Sequence, residues 1–357
     1  MQLTEDAIFE AALQLDLPSI NKFCLTDRRI NSIICDNQHF WHKLFVKTYG
    51  VDYPGYNDWK YIYQHYRSYF VDFKEESDIK VLKAYITKFI TIILDIHNNL
   101  WIKGSRALPM FNISVENYDD GYVKVEGIKA KDFVYFHYNT YIIDMEDNLH
   151  RITRGTRKLV AHNVKQVDVS VNYSYYIDNN NTLYDLKSST PIMENIRYVT
   201  STNRSSYIID TENNVYSVGS NTFGQLGLGD LENRDEYTLI PGIKADKISA
   251  TVGTVMILDL DGNVWVFGIS TQEGLGLGET RSIKIPTMIE GIKGKKILID
   301  GSSAYIVDLH NRLWRVGYNT LIKTPRVGVV NQFTLVEGYE VFDVFPGKIV
   351  SFTGNKL

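Results

Sequence analysis

The chain has few of the residues that several specialised classes of protein require. It contains 2 cysteines and 8 prolines in 357 residues. Two cysteines are too few for a disulfide framework, so we expect a reducing compartment, either the cytoplasm or the nucleus. The sequence has no apolar run of about 20 residues, the length of a membrane-spanning helix. The acidic N-terminal segment MQLTEDAIFEAALQLDL is unlike a secretory signal, so we expect neither membrane insertion nor secretion.

Excess positive charge is also lacking. The formal net charge is -4, whereas nucleic-acid-binding proteins usually concentrate lysine and arginine on one face. We therefore expect no nucleic-acid partner. Hydrophobic residues make up 44% of the chain, which is enough for a packed core and argues against intrinsic disorder. The 24 tyrosines favour β structure, because aromatic side chains are enriched in strands.

One sequence pattern recurs along most of the chain. It consists of two apolar residues, an aspartate, three variable residues, a position often held by asparagine, then leucine or valine, and usually an aromatic residue. Each copy predicts a β-hairpin, since an apolar strand meets a turn rich in Asn, Asp and Gly. A degraded seventh copy ends the chain, with Ser351 in place of aspartate. The six aspartates are Asp95, Asp144, Asp178, Asp210, Asp259 and Asp308.

A second pattern precedes the first at a nearly constant distance. Gly127, Gly242 and Gly291 each lie 17 residues before the aspartate of their copy, and Asn163 and Asn195 fit at 15 residues. The copies begin 32 to 49 residues apart, which is typical of a unit of about four strands in a β-propeller. The sequence therefore predicts a mainly β fold, a seven-bladed propeller over residues 79–357. A row of unrelated hairpins or a β-solenoid is the alternative.

Two glycine-rich segments add a family resemblance. NTFGQLGLGD at 221–230 and TQEGLGLGET at 271–280 resemble the signature of the regulator-of-chromosome-condensation repeat family, which forms seven-bladed propellers. The resemblance covers residues 79–357 and is weak near 145–195. We interpret these glycines as structural turns, because neither segment matches a phosphate-binding motif. In this family an N-terminal strand often completes the last blade, and a segment such as Ile79–Thr91 is a candidate to close the ring.

The first 50 residues carry the apolar spacing of short helices and form a predicted all-α domain. Residues 51–78 then form a predicted aromatic-rich helical linker. A Leu-Pro pair, a central Arg-Arg pair and a late Phe-Trp resemble an F-box. The resemblance implies binding to a Skp-type adaptor of a cullin ubiquitin ligase, through Leu17, Pro18, Ile33, Trp41 and Leu44. The alternative is a helical cap on the propeller, in which apolar members of this set pack in a core.

No arrangement of residues predicts catalysis, a cofactor or a metal. Cys24, Cys35, His39 and His42 have the side chains of a zinc site, but their spacing fits no common one. We expect both cysteines to pack as free thiols. The repeated aspartates occur once per repeat, so we expect them to bind the amides of their own turns.

These observations predict a protein-interaction module and not an enzyme. The two resemblances together imply a receptor of a cullin-type ubiquitin ligase, with an unknown protein client on the propeller loops. A scaffold without a ligase link and a guanine-nucleotide exchange factor for a small GTPase are the alternatives. The pairing of an F-box-like segment with this propeller occurs in eukaryotes and, as the family resemblance implies, in large DNA viruses. A role in host–virus interaction is therefore a further expectation.

Overall fold

A computed structural model shows a chain that divides into two compact units. The first is Met1–Glu75 with Phe352–Gly354, and the second is Glu76–Ser351 with Asn355–Leu357. The predicted linker over 51–78 lies outside the described residues. The structure describes residues 8–9, 12, 20, 31–37, 39–41, 43, 81–86, 90–104, 108–113, 121–269, 282–300, 303–317, 330–345 and 348–351.

In the first unit the described residues are mostly helical and include the π-helical turn Asn31–Cys35. Trp41 is fully buried, and its Nε1 donates a hydrogen bond to the Cys35 carbonyl oxygen at 3.0 Å. Cys35 is buried and disulfide-bonded, so the expectation of a free thiol is wrong at this position. Further buried apolar residues are Ile8, Ala12, Ile20, Ile34 and Phe40.

The described part of the second unit is built of strands, with one short 3₁₀ turn at Leu108–Phe111. A seven-stranded sheet contains β1 (Val81–Ile86), β2 (Thr91–Asp95), β3 (Asn99–Lys103), β4 (Val123–Phe136), β5 (Asn139–Asp144), β6 (Leu149–Thr153) and β7 (Thr156–Ala161). A four-stranded sheet contains β8 (Val164–Val169), β9 (Ser174–Asp178), β10 (Leu183–Asp185) and β11 (Pro191–Met193). An eleven-stranded sheet contains β12 (Ile196–Ser201), β13 (Ser205–Asp210), β14 (Asn214–Gly219), β15 (Arg234–Ala250), β16 (Thr254–Asp259), β17 (Asn263–Ile269), β18 (Ser282–Asp300), β19 (Ser303–Asp308), β20 (Arg312–Gly317), β21 (Val330–Phe345) and β22 (Lys348–Ser351).

Four long strands change pairing partners part-way along their length, so that each belongs to two successive antiparallel groups of strands, which we call sets. In β15, residues 234–244 pair with β14, whereas residues 245–250 pair with β16. The strands β4, β18 and β21 change partners in the same way. The two larger sheets therefore resolve into antiparallel sets of four strands, followed by the hairpin β21–β22. The four-stranded sheet β8–β11 is already such a set.

Successive sets pack face to face, and the hydrophobic core lies between them. The set β1–β4 packs on the next set through residues such as Leu94 and Ile142. Tyr141 and Val167 lie in the following interface, and Ile177 and Ile208 in the one after it. A larger cluster continues through the sets that begin at β12, β15 and β18. Because strands account for most of the described residues, the predicted mainly β fold is confirmed.

The hypothesis that Ile79–Thr91 pairs with the last hairpin is wrong for its strand β1. β1 forms its ladder with β2 of its own set, and among the described strands β22 pairs only with β21. β1 does lie close to β21, so the first and last sets approach each other without a shared ladder among the described strands.

Candidate functional site

The six repeated aspartates each end the second strand of a set and build the turn that follows. Asp259 Oδ1 accepts backbone N–H groups from Asp261 at 2.9 Å and Asn263 at 2.7 Å. Its Oδ2 accepts Asn263 Nδ2 and Trp265 Nε1, both at 2.8 Å. The same backbone bonds, from residues two and four positions later, occur at Asp95, Asp144, Asp178, Asp210 and Asp308.

These bonds favour the charged form of three of the aspartates, Asp144, Asp259 and Asp308. Burial alone would raise the pKa of the Asp259 carboxyl, but hydrogen bonds from Trp265 and Asn263 outweigh it and lower the pKa below its ordinary value. The pKa values of Asp144 and Asp308 are lowered in the same way. A charged acceptor also makes each bond stronger. The carboxylates are thus bound to their own turns.

Five of the six turns also bind the next set of strands through the carbonyl oxygen of the turn's fourth residue. This fourth residue has a left-handed backbone, with φ between 62° and 78°, a region in which Asn, Asp and Gly are best tolerated. The carbonyl oxygen of one such residue, Asn213, accepts the Ala245 N–H at 2.9 Å. A lysine adds to this contact, since Lys244 Nζ lies 2.7 Å from Asn214 Oδ1 and 3.0 Å from the Glu212 carbonyl oxygen. Lys129 and Lys293 repeat the arrangement.

The lysine position corrects the predicted alignment of the short repeats. Val164 N–H donates to the carbonyl oxygen of the preceding turn, as Ala130 and Ala245 do in their repeats. Asn163 therefore occupies the place of Lys129 and not that of Gly127. Asn195, before Ile196, shows the same two-residue shift.

Gly127, Gly242 and Gly291 lie in the long strands where the chain leaves one set and approaches the next. Their φ angles are 71°, 80° and 78°. A Cβ at any of the three would meet nothing within 4 Å. Backbone conformation, not a lack of space, favours glycine here.

Sequence reasoning missed a third repeated position. Gly104, Gly219, Gly268 and Gly317 each lie nine residues after an aspartate and have φ between 91° and 110°. At Gly219 a Cβ would overlap the carbonyl oxygen of Arg204 and lie 2.6 Å from the Tyr173 hydroxyl. The constant spacing could have identified this position.

The glycine-rich segment 221–230 folds on itself. Asn221 is fully buried, and it accepts the Leu226 N–H at 2.9 Å and donates to Asp230 Oδ1 at 3.0 Å. Gly224, Gly227 and Gly229 all have positive φ, which supports the interpretation as structural turns. The second such segment, 271–280, lies outside the described residues.

At the opposite end of the strands from the aspartate turns, the sets β8–β11 and β12–β15 enclose a cavity of about 770 Å³. We call it the tyrosine cavity, after Tyr173, Tyr175 and Tyr237 in its lining. The rings of Tyr173 and Tyr175 lie 6.3 Å apart. The Tyr237 hydroxyl lies 3.0 Å from Ser206 Oγ, within hydrogen-bonding distance. The tyrosines are therefore held in place before any ligand binds.

The charges around the tyrosine cavity are partly unpaired. Arg234 pairs with Asp230 at 2.6 Å. In the part of the chain that the structure describes, the side chains of Arg204, Asp235 and Glu236 form no salt bridge or hydrogen bond, and all three are exposed. Burial, and to a lesser degree the charge of Asp235, raise the pKa of Tyr173. Asp235 lines the same cavity as the tyrosines.

A buried carboxyl lies in the same interface between sets. Asp168 as a whole is half-buried, but its Oδ2 atom is fully buried and has no hydrogen-bond partner among the described residues. Burial raises the pKa of Asp168 to about 7, although hydrogen bonds from Ser201 act in the opposite direction. The carboxyl is therefore largely protonated below neutral pH.

Asp168→Asn should stabilise the fold more at pH 8 than at pH 5. Between the ordinary pKa and pH 7 the unfolded chain ionises this group while the folded chain keeps its proton, so wild type loses stability as the pH rises. Asparagine has the same size and does not ionise. We expect the difference in unfolding free energy between variant and wild type to grow by about 2 kcal/mol from pH 5 to pH 8. Urea unfolding at both pH values measures it, and an equal difference at both would contradict the prediction.

The predicted adaptor contacts are only partly described. Leu17, Pro18 and Leu44 lie outside the described residues. Ile33 is half-buried, whereas Trp41 has no exposed surface. Trp41 thus belongs to the core of the first unit, and a direct contact between its ring and an adaptor would require rearrangement.

A family model matches one segment of the second unit. Residues 212–252 match the family model described as the regulator of chromosome condensation (RCC1) repeat. No curated protein matches the chain significantly in sequence. None of the helices in the described ranges is long and apolar enough to span a bilayer.

The fold resembles solved propeller structures. Prp20p from Saccharomyces cerevisiae, reported together with its binding of Gsp1p and histones, is 14% identical with a TM-score of 0.60. That alignment covers 76% of this chain and 81% of Prp20p. The structure of Kap60 bound to yeast RCC1 (Prp20) gives 14% identity and a TM-score of 0.59, covering 75% and 79% of the two chains. The propeller-type fold predicted from the repeats is therefore confirmed.

Proposed function

We propose that the protein is an interaction module that acts as a substrate receptor of a cullin-type ubiquitin ligase. The helical first unit binds a Skp-type adaptor, and the propeller binds a protein client. The observation that carries the interaction role is the use of the repeated polar residues. The aspartates and asparagines of the repeats are bonded within their own turns and the lysines to the preceding turn, which leaves ligand recognition to the variable loops at the other end of the strands.

The proposal assigns seven blades to the propeller. Six sets of four strands and the hairpin β21–β22 make seven successive groups, one for each proposed blade. The contact of β1 with β21 brings the first and last groups together. On this proposal the chain has no catalytic centre and needs neither cofactor nor metal. We place it inside the cell, in the cytoplasm or the nucleus.

Ile33 offers the cleanest test of adaptor binding. It is half-buried, beside the buried Ile34 and Cys35 and the exposed Ser32, so truncating it should remove contact area while sparing the core. We expect Ile33→Ala in the full chain to weaken binding of a purified Skp-type adaptor at least ~10-fold, as is common for a central apolar contact. Calorimetry measures the affinity. Ser32→Ala is the neighbouring control and should bind like wild type.

The outcomes separate the candidate functions. Equal adaptor binding by Ile33→Ala and wild type, with the helical circular dichroism unchanged, would contradict the assigned contact. Failure of wild type to bind any Skp-type adaptor would reject the ligase role and favour a scaffold. Trp41→Ala is unsuitable as the sole test, because removing a fully buried ring from a core usually costs 3–5 kcal/mol.

Likeness to Prp20p, which binds Gsp1p, favours guanine-nucleotide exchange as a second candidate. Release of a fluorescent guanine nucleotide from a panel of small GTPases tests it. Acceleration by wild-type protein at catalytic amounts would support exchange. No acceleration across the panel would reject it.

A further inference from the structure

The tyrosine cavity carries an excess of negative charge on a preformed aromatic surface. The segment 230–236 (DLENRDE) has four acidic residues and one arginine, of which Arg234, Asp235 and Glu236 line the cavity. Arg234 is engaged with Asp230, which leaves Asp235 and Glu236 available to a ligand. Arg204, which also lines the cavity, is the single unpaired cation in its described part. The unpaired charges therefore sum to minus one, which favours a cationic ligand.

The tyrosines suit the rest of such a ligand. Lysine and arginine have long apolar stems that lie on aromatic surface, while their charged heads are attracted by the ring faces and by carboxylates. Tyr175 is buried except for 8% of its surface, and burial raises its pKa to about 12, so its hydroxyl stays neutral beside a cation. Gly219 keeps this wall in place, because no side chain fits between it and the Tyr173 hydroxyl.

The rim is suited to a polypeptide. Ile192 lines the cavity and is 43% exposed, and Leu231, 44% exposed, lies in the adjoining acidic segment. Exposed apolar groups beside a polar pocket are typical of protein–protein contacts, where flanking residues of the partner cover them. The cavity is open to solvent and shares its walls between two sets of strands, so a side chain of a partner can enter it from solvent.

We propose that the tyrosine cavity binds a lysine or arginine side chain of a client polypeptide, with the stem on Tyr173 and Tyr237 and the charged head at Asp235 and Glu236. This inference rests on the proposed function in that it takes the propeller as the client-binding part. It adds the chemistry of the client, which has an exposed basic residue flanked by apolar ones.

The test uses the full chain and two synthetic 12-residue peptides of Gly, Ser and Leu, one with three arginines and one with three glutamates. Fluorescence anisotropy at physiological salt measures binding. We expect the arginine peptide to bind and the glutamate peptide not to bind. Asp235→Asn/Glu236→Gln should weaken the arginine peptide at least ~10-fold, and Tyr173→Leu ~3- to 10-fold through loss of the aromatic surface on which the stem lies.

A charge-matched control excludes general attraction to an acidic protein. Glu126→Gln/Glu146→Gln removes the same charge from two exposed glutamates away from the tyrosine cavity and should change binding less than twofold. Equal weakening by both double variants would overturn the proposal. So would the absence of arginine-peptide binding, or preferred binding of the glutamate peptide that is lost in Arg204→Ala. Adaptor affinity, measured separately, should not change in Asp235→Asn/Glu236→Gln, so failure of the ligase role is distinguishable from failure of this site.

Discussion

Gly268→Ala should lower the free energy of unfolding by about 3–5 kcal/mol, combining left-handed backbone strain with overpacking. A Cβ at this position would overlap the carbonyl oxygen of Gly253 and lie 3.0 Å from its carbonyl carbon. The same carbonyl accepts the Ile269 N–H at 2.7 Å, so the two segments cannot separate without breaking that bond. Chemical denaturation followed by tryptophan fluorescence measures the loss.

Gly242→Ala is the matched control. Gly242 also has a left-handed φ, 80°, but a Cβ there would meet nothing within 4 Å. Only backbone strain remains, so we expect a loss of about 1 kcal/mol. Equal losses of unfolding free energy in the two variants would mean that the nearby Gly253 carbonyl is not the reason why position 268 requires glycine.

Asp259→Ala should destabilise the fold by about 3–4 kcal/mol, because four donors lose a charged acceptor. Two of these donors are backbone amides of the turn, and one is the indole of Trp265. Since the pKa of Asp259 is lowered, the stability from its carboxylate is complete above the ordinary pKa. It is lost as the pH falls through the folded value.

Asp261→Ala removes the same charge from the same turn. Its side chain is exposed and forms no hydrogen bond with any residue in the described ranges. Surface substitutions of this kind usually change stability by less than ~0.5 kcal/mol. Thermal or urea unfolding of both variants gives the comparison, and a loss at Asp261 as large as that at Asp259 would show that charge, not bonding, governs the turn.

The repeats could be predicted because they combine a period with turn chemistry. Asp210 and Asp259 stand before turns whose fourth residue must have positive φ, and this requirement leaves Asn and Gly at a fixed place in the sequence. The alignment failed at Asn163 because a shorter repeat removes the glycine kink, and the asparagine at the next constrained position was mistaken for it. The strand register decides whether Asn163 aligns with Gly127 or with Lys129. That register is set by backbone hydrogen bonds, which cannot be deduced from a pattern of residue types.

The tyrosine cavity could not be predicted in this way. Its lining comes from separate segments around Tyr173, Met193, Arg204 and Tyr237, which belong to two different repeats. The burial of Trp41 was equally hidden, since an apolar stripe predicts which residues share a helix face but not whether that face meets the core or a partner. Asp168 carries no sequence signal, because its raised pKa arises from the strands that enclose it.

The set β8–β11 differs from the other complete sets in how the chain enters and leaves it. A two-residue connection precedes it at His162 and Asn163, and another follows it at Glu194 and Asn195, where elsewhere a continuous strand joins most neighbouring sets. In a continuous strand such as β15, deleting one residue would displace the pairing on both sides at once. Around β8–β11 a deletion displaces the pairing of one set only. This part of the ring can therefore change its length and its loops during evolution without disturbing its neighbours, and it is here that the copies are shortest and the tyrosine cavity opens.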